Sequence, residues 1–221
     1  MSAAALEATE LYRFFRTGEE EVRALRGVSL QVEAGEFVAV AGPSGSGKST
    51  LLSCVAGLDE PAGGSVHIDG ERMTGRPEPE RARIRARSLG VLLQSGNLLG
   101  HLDITGNVRL AQRIAGGRAP VRAEELLERL GLGKRRRAMP DQLSGGETAR
   151  AGLAVALAAG PVVVLADEPT GELDSDAESE VLTLLRGRTE RGGAVLVVTH
   201  SATVMAEADR TVRLLDGKVT S

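Results

Sequence analysis

Residues 42 to 50 read GPSGSGKST, set between the apolar run FVAVA and the stretch STLLSCVAGL. No other segment restricts the fold so sharply, because G-x-x-x-x-G-K-[ST] has a purpose only where a strand turns abruptly into a helix. Its glycines let successive backbone N–H groups turn inward as an anion nest, and the following helix points its positive end at the same place. Strand, phosphate-sized loop and helix in that order call for a layered α/β arrangement with the loop at a sheet edge. On this reading Gly42, Pro43, Ser44, Gly45, Ser46, Gly47, Lys48, Ser49 and Thr50 surround a nucleotide's phosphates. Lys48 reaches the β- and γ-phosphates, and the Ser49 hydroxyl ligates Mg²⁺. Only three of the 27 basic residues are lysines, so one standing at the motif position is informative.

The surrounding pattern supports a parallel sheet. From residue 22, VRALRGVSLQVEAGEFVAVAG gives two alternating runs broken by the turn signal EAG, then FVAVAG. Further β-branched apolar runs occur in SVHIDG (65–70), LGVLLQ (89–94), VVVLADEP (162–169) and AVLVVTHS (194–201). The last three are nearly continuous and bounded by Gly or Pro, as buried parallel strands are. TVRLLDGKVTS closes the chain with a hairpin turn predicted at Asp216-Gly217. Helical spacing is predicted after Lys48 and at 78–88, 103–115, 122–131, 145–160 and 176–190, with a shorter piece after His200. Three of these follow one another from 103 to 160 without a strand. The expected division is therefore a core of about 1–93 and 161–221, with a helical lobe of about 94–160 inserted.

Beside the phosphate loop, VVVLADEP runs an apolar strand into Asp167 and Glu168. A carboxylate at the C-terminal end of such a strand is where a Mg²⁺ partner is expected, so Asp167 is assigned to the metal, held through water. Glu168, turned to the other face by the two-residue strand period, is assigned to polarise an attacking water. Gln94 and His200 end the strands LGVLLQ and AVLVVTH at the same sheet edge. A neutral amide there suits Mg²⁺ or its water, and an imidazole suits the γ-phosphate and the orientation of Glu168.

Composition removes several alternatives. Aromatic residues make up 2% and tryptophan is absent, which argues against single-stranded nucleic-acid binding by stacking. A net charge of -3 gives no overall field for DNA or an anionic bilayer, and the one dense basic run, KRRRA (134–138), is read as a solvated face. Cys54 in LLSCVAGL is read as a buried small apolar residue. The N-terminal MSAAALEATELYRFF makes a poor secretory signal, and the chain lacks the roughly 18 consecutive apolar residues a spanning helix needs. A cytoplasmic location is expected, with work at a membrane done through a partner.

Taken together, GPSGSGKST, Gln94, LSGGE (143–147), VVVLADEP and His200 are similar in order and approximate spacing to the ATP-binding-cassette ATPases. The resemblance covers nearly the whole chain. ALRGVSLQVEAGEFVAVAGPSGSGKSTLLSCVAGLDEPAGGSVHIDG resembles the subgroup of lipoprotein-release, macrolide-efflux and cell-division ATPases. It implies a P-loop NTPase core with a mostly parallel sheet, an N-terminal antiparallel β subdomain and an inserted helical subdomain. It also implies ATP and Mg²⁺ as ligands, a head-to-tail dimer sandwiching two ATP, and a separate integral-membrane permease at the inner face of the membrane. Ser144, Gly145, Gly146 and Glu147 then face a nucleotide held by the other subunit, although Ser144 equally suits a helix N-cap. Phe15, before the Gly18 turn, matches the adenine-stacking aromatic, with Tyr12 as second candidate. Asp174, in GELD, matches the loop that crosses the dimer interface, and it too has the makings of an N-cap. Two departures stand out: Glu147 replaces a frequent glutamine, and Gly106 stands in place of a glutamate in SGNLLGHLDITGNV. The altered 95–107 segment motivates a second reading, a nucleotide-gated dimerisation clamp that moves no substrate.

Overall fold

Five-residue strands rich in Val, Leu and Ala and buried on both faces build the centre of the fold. In a computed structural model, which describes residues 4–17, 20–117, 119–171 and 173–220, the chain runs β1 (Leu6–Thr17), β2 (Glu20–Val32), β3 (Phe37–Ala41), α1 (Lys48–Val55), β4 (Gly63–Ile68), β5 (Glu71–Arg72), α2 (Glu78–Ser88), β6 (Leu89–Leu92), α3 (Ile104–Ile114), α4 (Ala123–Arg129), α5 (Gly145–Leu157), β7 (Val163–Asp167), α6 (Ser175–Thr189), β8 (Ala194–Val198), α7 (Ala202–Glu207), β9 (Arg210–Leu215) and β10 (Lys218–Thr220). One sheet has the order β10-β9-β3-β8-β7-β6 and the other β2-β1-β4-β5. From β9 to β6 every pairing in the first sheet is parallel; β10 is an antiparallel edge. The second sheet is antiparallel throughout.

Period-two alternation sends successive residues of each central strand to opposite faces. Val163, Leu165, Leu196 and Val198 pack with α1 and the antiparallel sheet, whose Leu6, Leu11, Val28 and Val66 close that layer. Val164, Ala166, Val195 and Val197 face the other way, against Leu153 of α5 and Val181, Leu182 and Leu185 of α6. A third cluster joins Ile104 and Val108 of α3, Leu127 of α4 and Ala151 and Ala154 of α5. Helix α5 thus packs on the parallel sheet through one face and on α3 and α4 through another. Cys54 is fully buried, and burial pushes its thiol up to about 12.

The sequence pattern did not announce β1. Glu10 has φ 51, and the β1–β2 register shifts between Ala8 and Leu11, between Leu11 and Tyr12, and between Arg13 and Phe14. Each irregularity resets the alternation, so LEATELYRFFRT has no clean period of two. The Asp216-Gly217 hairpin is as expected: both residues have positive φ, 47 and 72. Such a turn matches the twist of the strands it joins.

Candidate active site

The parallel sheet sets the site by register. Strands β3, β8, β7 and β6 lie side by side, with Val40 opposite Val198, Asp167 opposite Val198 and Leu92 opposite Ala166. Their C-terminal ends therefore share one edge. From it emerge the 42–47 loop, Thr199 and His200, Asp167 and Glu168, and the segment carrying Gln94. Strand β6 stops at Leu92 and β8 at Val198, so Gln94 and His200 stand two residues past the strand ends rather than closing the strands. Glu168 also lies outside its strand. Its φ is 47, so a left-handed turn aims its side chain, and the alternation expected from the sequence does not apply.

Around the phosphate loop, close packing explains the glycines. A Cβ on Gly42 would lie 2.1 Å from the Leu214 carbonyl oxygen, and one on Gly47, whose φ is 101, 2.2 Å from that of Ala24. The β9–β10 turn braces the same loop: the Gly217 N–H donates to the Ser46 carbonyl at 3.0 Å, and the Arg26 N–H to the Gly217 carbonyl at 2.8 Å. Ser46 itself is 2% exposed, and its hydroxyl has no partner among the described residues. Lys48 Nζ donates to the carbonyls of Gly42 and Pro43 at 2.8 and 3.0 Å, and no carboxylate pairs with it among the described residues. A cation folded back on its own loop at the start of α1, with no carboxylate paired to it among the described residues, is fitted to receive an anion. Burial holds the Asp167 carboxyl above the ordinary carboxylate range, with the Glu168 charge adding to it; the Ser49 hydrogen bond and Lys48 oppose the shift. A half-buried carboxylate beside a serine hydroxyl at the phosphate loop fits Mg²⁺, since a cation there offsets the cost of keeping the carboxylate charged.

Glu168 is held on three sides. Its Oε1 lies 2.8 Å from His200 Nδ1, and its Oε2 accepts from the Thr199 hydroxyl at 3.1 Å and the His200 N–H at 3.3 Å. With Glu168 ionised, the close contact requires the proton on His200 Nδ1. The imidazole is otherwise open to solvent.

A cavity of about 660 Å³ collects Phe15, Val22, Ala24, Gly42, Pro43, Ser44, Gly45, Gly47, Lys48, Ser49, Thr50, Gln94, Asp167, Glu168 and His200. Phe15 is 39% exposed, with the Arg13 guanidinium 4.6 Å from its ring centroid. Tyr12 does not line this cavity, and its hydroxyl donates to Glu10 at 3.1 Å. The Gly18 turn expected to follow Phe15 lies outside the described residues, as does Glu172 of GELD.

Ser144, Gly145, Gly146, Glu147 and Asp174 do not line this cavity. Gly145 lines a second cleft of about 420 Å³, which Gln94 and Glu168 border from the other side. The serine and glutamate form a reciprocal cap: the Glu147 N–H donates to Ser144 Oγ at 3.2 Å, and the Ser144 N–H to Glu147 Oε2 at 3.0 Å. That S-x-x-E capping box was readable in the sequence. Arg135, from KRRRA, pairs with Glu147 Oε1 at 3.2 Å and also donates to the Gln142 carbonyl. Nothing in the sequence pointed to this pair, which brings together residues twelve apart through a 3-10 turn at Gly133–Arg135. Asp174 caps α6, accepting from the Ala177 N–H at 2.9 Å. Gly146 faces α6 closely, since its Cβ would lie 3.2 Å from that of Ala177, whereas Gly145 has nothing within 4 Å.

Comparison with known proteins agrees with this geometry. The family model for ABC transporters matches residues 25–171. An ABC transporter ATP-binding protein of Thermotoga maritima is 44% identical over 97% of this chain and 93% of its own length. The macrolide export ATP-binding/permease protein MacB of Shewanella sp. (strain ANA-3) is 42% identical over the whole chain, which spans 34% of that relative. Among solved structures, the dimeric post-hydrolysis state of the ATP-binding cassette MJ0796, bound to ADP and Pi, superposes with a TM-score of 0.91 at 35% identity, covering 98% of this chain and 97% of that one. A second dimeric MJ0796 cassette gives 0.90, with the same identity and coverage. Phosphate loop, acidic strand end and the LSGGE cap of α5, on a fold matched over nearly its whole length, have one explanation: the chain belongs to the ABC transporter family, as an ATP-hydrolysing cassette that uses ATP and Mg²⁺.

Proposed function

We propose that the chain energises a separate integral-membrane permease at the inner face of the cell membrane, by closing head to tail on a second copy or a similar subunit around two ATP molecules. The observation that carries this reading is the separation of Ser144, Gly145, Gly146 and Glu147 from the chain's own phosphate cavity. Gly145 is open on its outer side, and the positive end of α5 behind it, capped by Ser144 and Glu147, suits a phosphate brought by another chain. A second chain supplies what is missing. Among the described residues no helix is long and apolar enough to cross a membrane, and the relative that spans three times this length combines ATP binding with a permease.

The chemistry divides among this chain's residues. Free backbone N–H groups of the phosphate loop and Lys48 bind and orient the triphosphate, with Phe15 against the base. Ser49, Gln94 and Asp167 hold Mg²⁺, which neutralises charge on the phosphates when bound. Glu168 sits with Oε1 and Oε2 fixed by His200 and Thr199, so its carboxylate is placed to accept a proton from a water attacking the γ-phosphate in line. His200 directs its Nδ1–H toward that carboxylate; for Nε2 to donate to the γ-phosphate the ring must carry its second proton, since a bare Nε2 only accepts. Positioning and charge neutralisation supply most of the rate.

Ultracentrifugation of Glu168→Gln with Mg-ATP tests the assembly. A dimer that forms with ATP and dissociates with ADP is expected; a monomer under both conditions contradicts it. Co-purification of the chain with a multi-spanning protein from membranes supports transport or mechanotransmission, whereas soluble partners alone point to the regulatory clamp.

A further inference from the structure

Glu178 lies in the first turn of α6 and does not line the nucleotide cavity. Its Oε1 accepts two hydrogen bonds, from the Thr170 hydroxyl at 2.9 Å and from the Ser201 hydroxyl at 2.9 Å. Thr170 stands two residues after Glu168 and is 5% exposed. Ser201 follows His200, caps α7 by accepting from the Val204 N–H at 3.4 Å, and donates its own N–H to Thr199 Oγ1 at 2.9 Å. The Thr199 hydroxyl in turn donates to Glu168. One carboxylate oxygen on α6 thus ties the segment carrying Glu168 to the segment carrying His200.

The neighbouring residue on α6, Ala177, packs against Gly146 in the first turn of α5 and donates its N–H to the Asp174 cap. The helix that holds the Glu168–His200 pair together is therefore also in contact with the first turn of α5. A buried threonine hydroxyl and a capping serine hydroxyl converging on one acceptor make a specific geometry, because each has few other partners and an unpaired buried hydroxyl is costly.

We propose that Glu178 is a positioning residue for ATP hydrolysis. It fixes the separation of Glu168 and His200 by clamping Thr170 and Ser201, and it makes that separation depend on where α6 sits. The proposal rests on the reading of Glu168 as the group that polarises water. A charge on Glu178 is not needed for this role, only an acceptor oxygen at the same place, and a glutamine amide supplies one.

The test compares Glu178→Ala and Glu178→Gln in the full chain with Mg-ATP. Glu178→Ala is expected to lower kcat about 10-fold or more while KM for ATP stays within about twofold, because orientation is lost and nucleotide contacts are kept. Glu178→Gln is expected to recover most of that loss. A second readout needs no turnover: ¹⁵N chemical shifts of His200, one of three histidines, report whether the proton stays on Nδ1. Glu178→Ala is expected to mix the tautomers, and Glu178→Gln to keep the Nδ1-bound one. Thr170→Val, which removes one of the two hydrogen bonds at similar volume, is expected to act in the same direction and more weakly, and serves if the alanine variant folds poorly. Wild-type kcat and His200 shifts in Glu178→Ala, or a glutamine variant as slow as the alanine one, overturn the proposal. Wild-type turnover in Glu168→Gln sinks the reading of Glu168 instead, and the His200 shifts in Glu178→Ala still decide whether Glu178 holds the pair.

Discussion

Three glycines of one loop separate two physical costs. Gly45 has φ 79 with open space around its missing side chain, so Gly45→Ala meets only the left-handed backbone penalty, about 1–2 kcal/mol. At Gly42 φ is not positive, but a methyl group would sit 2.1 Å from the Leu214 carbonyl oxygen and 2.7 Å from Ser46 Oγ. Forcing a methyl into a packed site costs about 1–3 kcal/mol. Gly47 carries both burdens, φ 101 and a 2.2 Å approach to the Ala24 carbonyl, which sum to about 2–5 kcal/mol. Against each loss stands about 0.5 kcal/mol returned by stiffening the unfolded chain. For a chain of this size 1 kcal/mol moves Tm by about 2–4 °C. Thermal melts without nucleotide should therefore rank Gly47→Ala lowest, with a loss near the sum of the other two, and Gly45→Ala only about 1–6 °C below wild type. The Gly45 methyl should instead weaken Mg-ATP affinity, because the loop backbone must lie against the phosphates. Equal melting temperatures for Gly45→Ala and Gly47→Ala would refute the attribution of the Gly47 requirement to the Ala24 contact.

Other consequences follow from single contacts. Glu147→Gln keeps the cap on the Ser144 N–H and removes a carboxylate that Arg135 balances, so it should raise ATP affinity or lengthen the dimer's lifetime; Arg135→Ala should do the reverse, and unchanged values in both remove the pair from the mechanism. Phe15→Ala should weaken ATP binding by about 1–2 kcal/mol and leave tripolyphosphate binding unchanged, as equilibrium titration with each ligand would reveal. The Phe37 N–H and the Arg186 guanidinium hold the Asp209 carboxyl below its ordinary range. Because the folded value lies below the unfolded one, this stabilisation is present above the ordinary carboxylate value and is lost as pH falls through the folded value. Asp209→Asn should accordingly cost about 1 kcal/mol at neutral pH, discounted for the half-exposed side chain, and the difference in Tm should vanish in acid.

How far the sequence could be read depended on whether each residue acts through its own neighbours in the chain or across the fold. GPSGSGKST and the strand ahead of it specify a loop by local backbone needs alone, and the structure puts that loop at the sheet edge with Lys48 and Ser49 inside. The helical run from 103 to 160 was legible because α3, α4 and α5 share an apolar cluster with helical spacing. Strand β1 escaped because bulges at Glu10 and Arg13 break its period. The direction expected for Glu168 came from an inapplicable rule, since a positive φ beyond the strand end sets it. Arg135, Thr199 and Glu178 were not visible at all. Each matters through a contact between segments that the chain order keeps apart, as with Glu168 and Thr199, 31 positions apart.

Hydrolysis of ATP in this cavity with Glu168 polarising the water is decided by the turnover of Glu168→Gln beside wild type, with Mg-ATP affinity measured in both. The amide preserves the shape of the contact with His200 and cannot accept a proton. Turnover should fall by about 10²–10⁴-fold while affinity stays within a few fold. Turnover at the wild-type rate in Glu168→Gln would contradict the account.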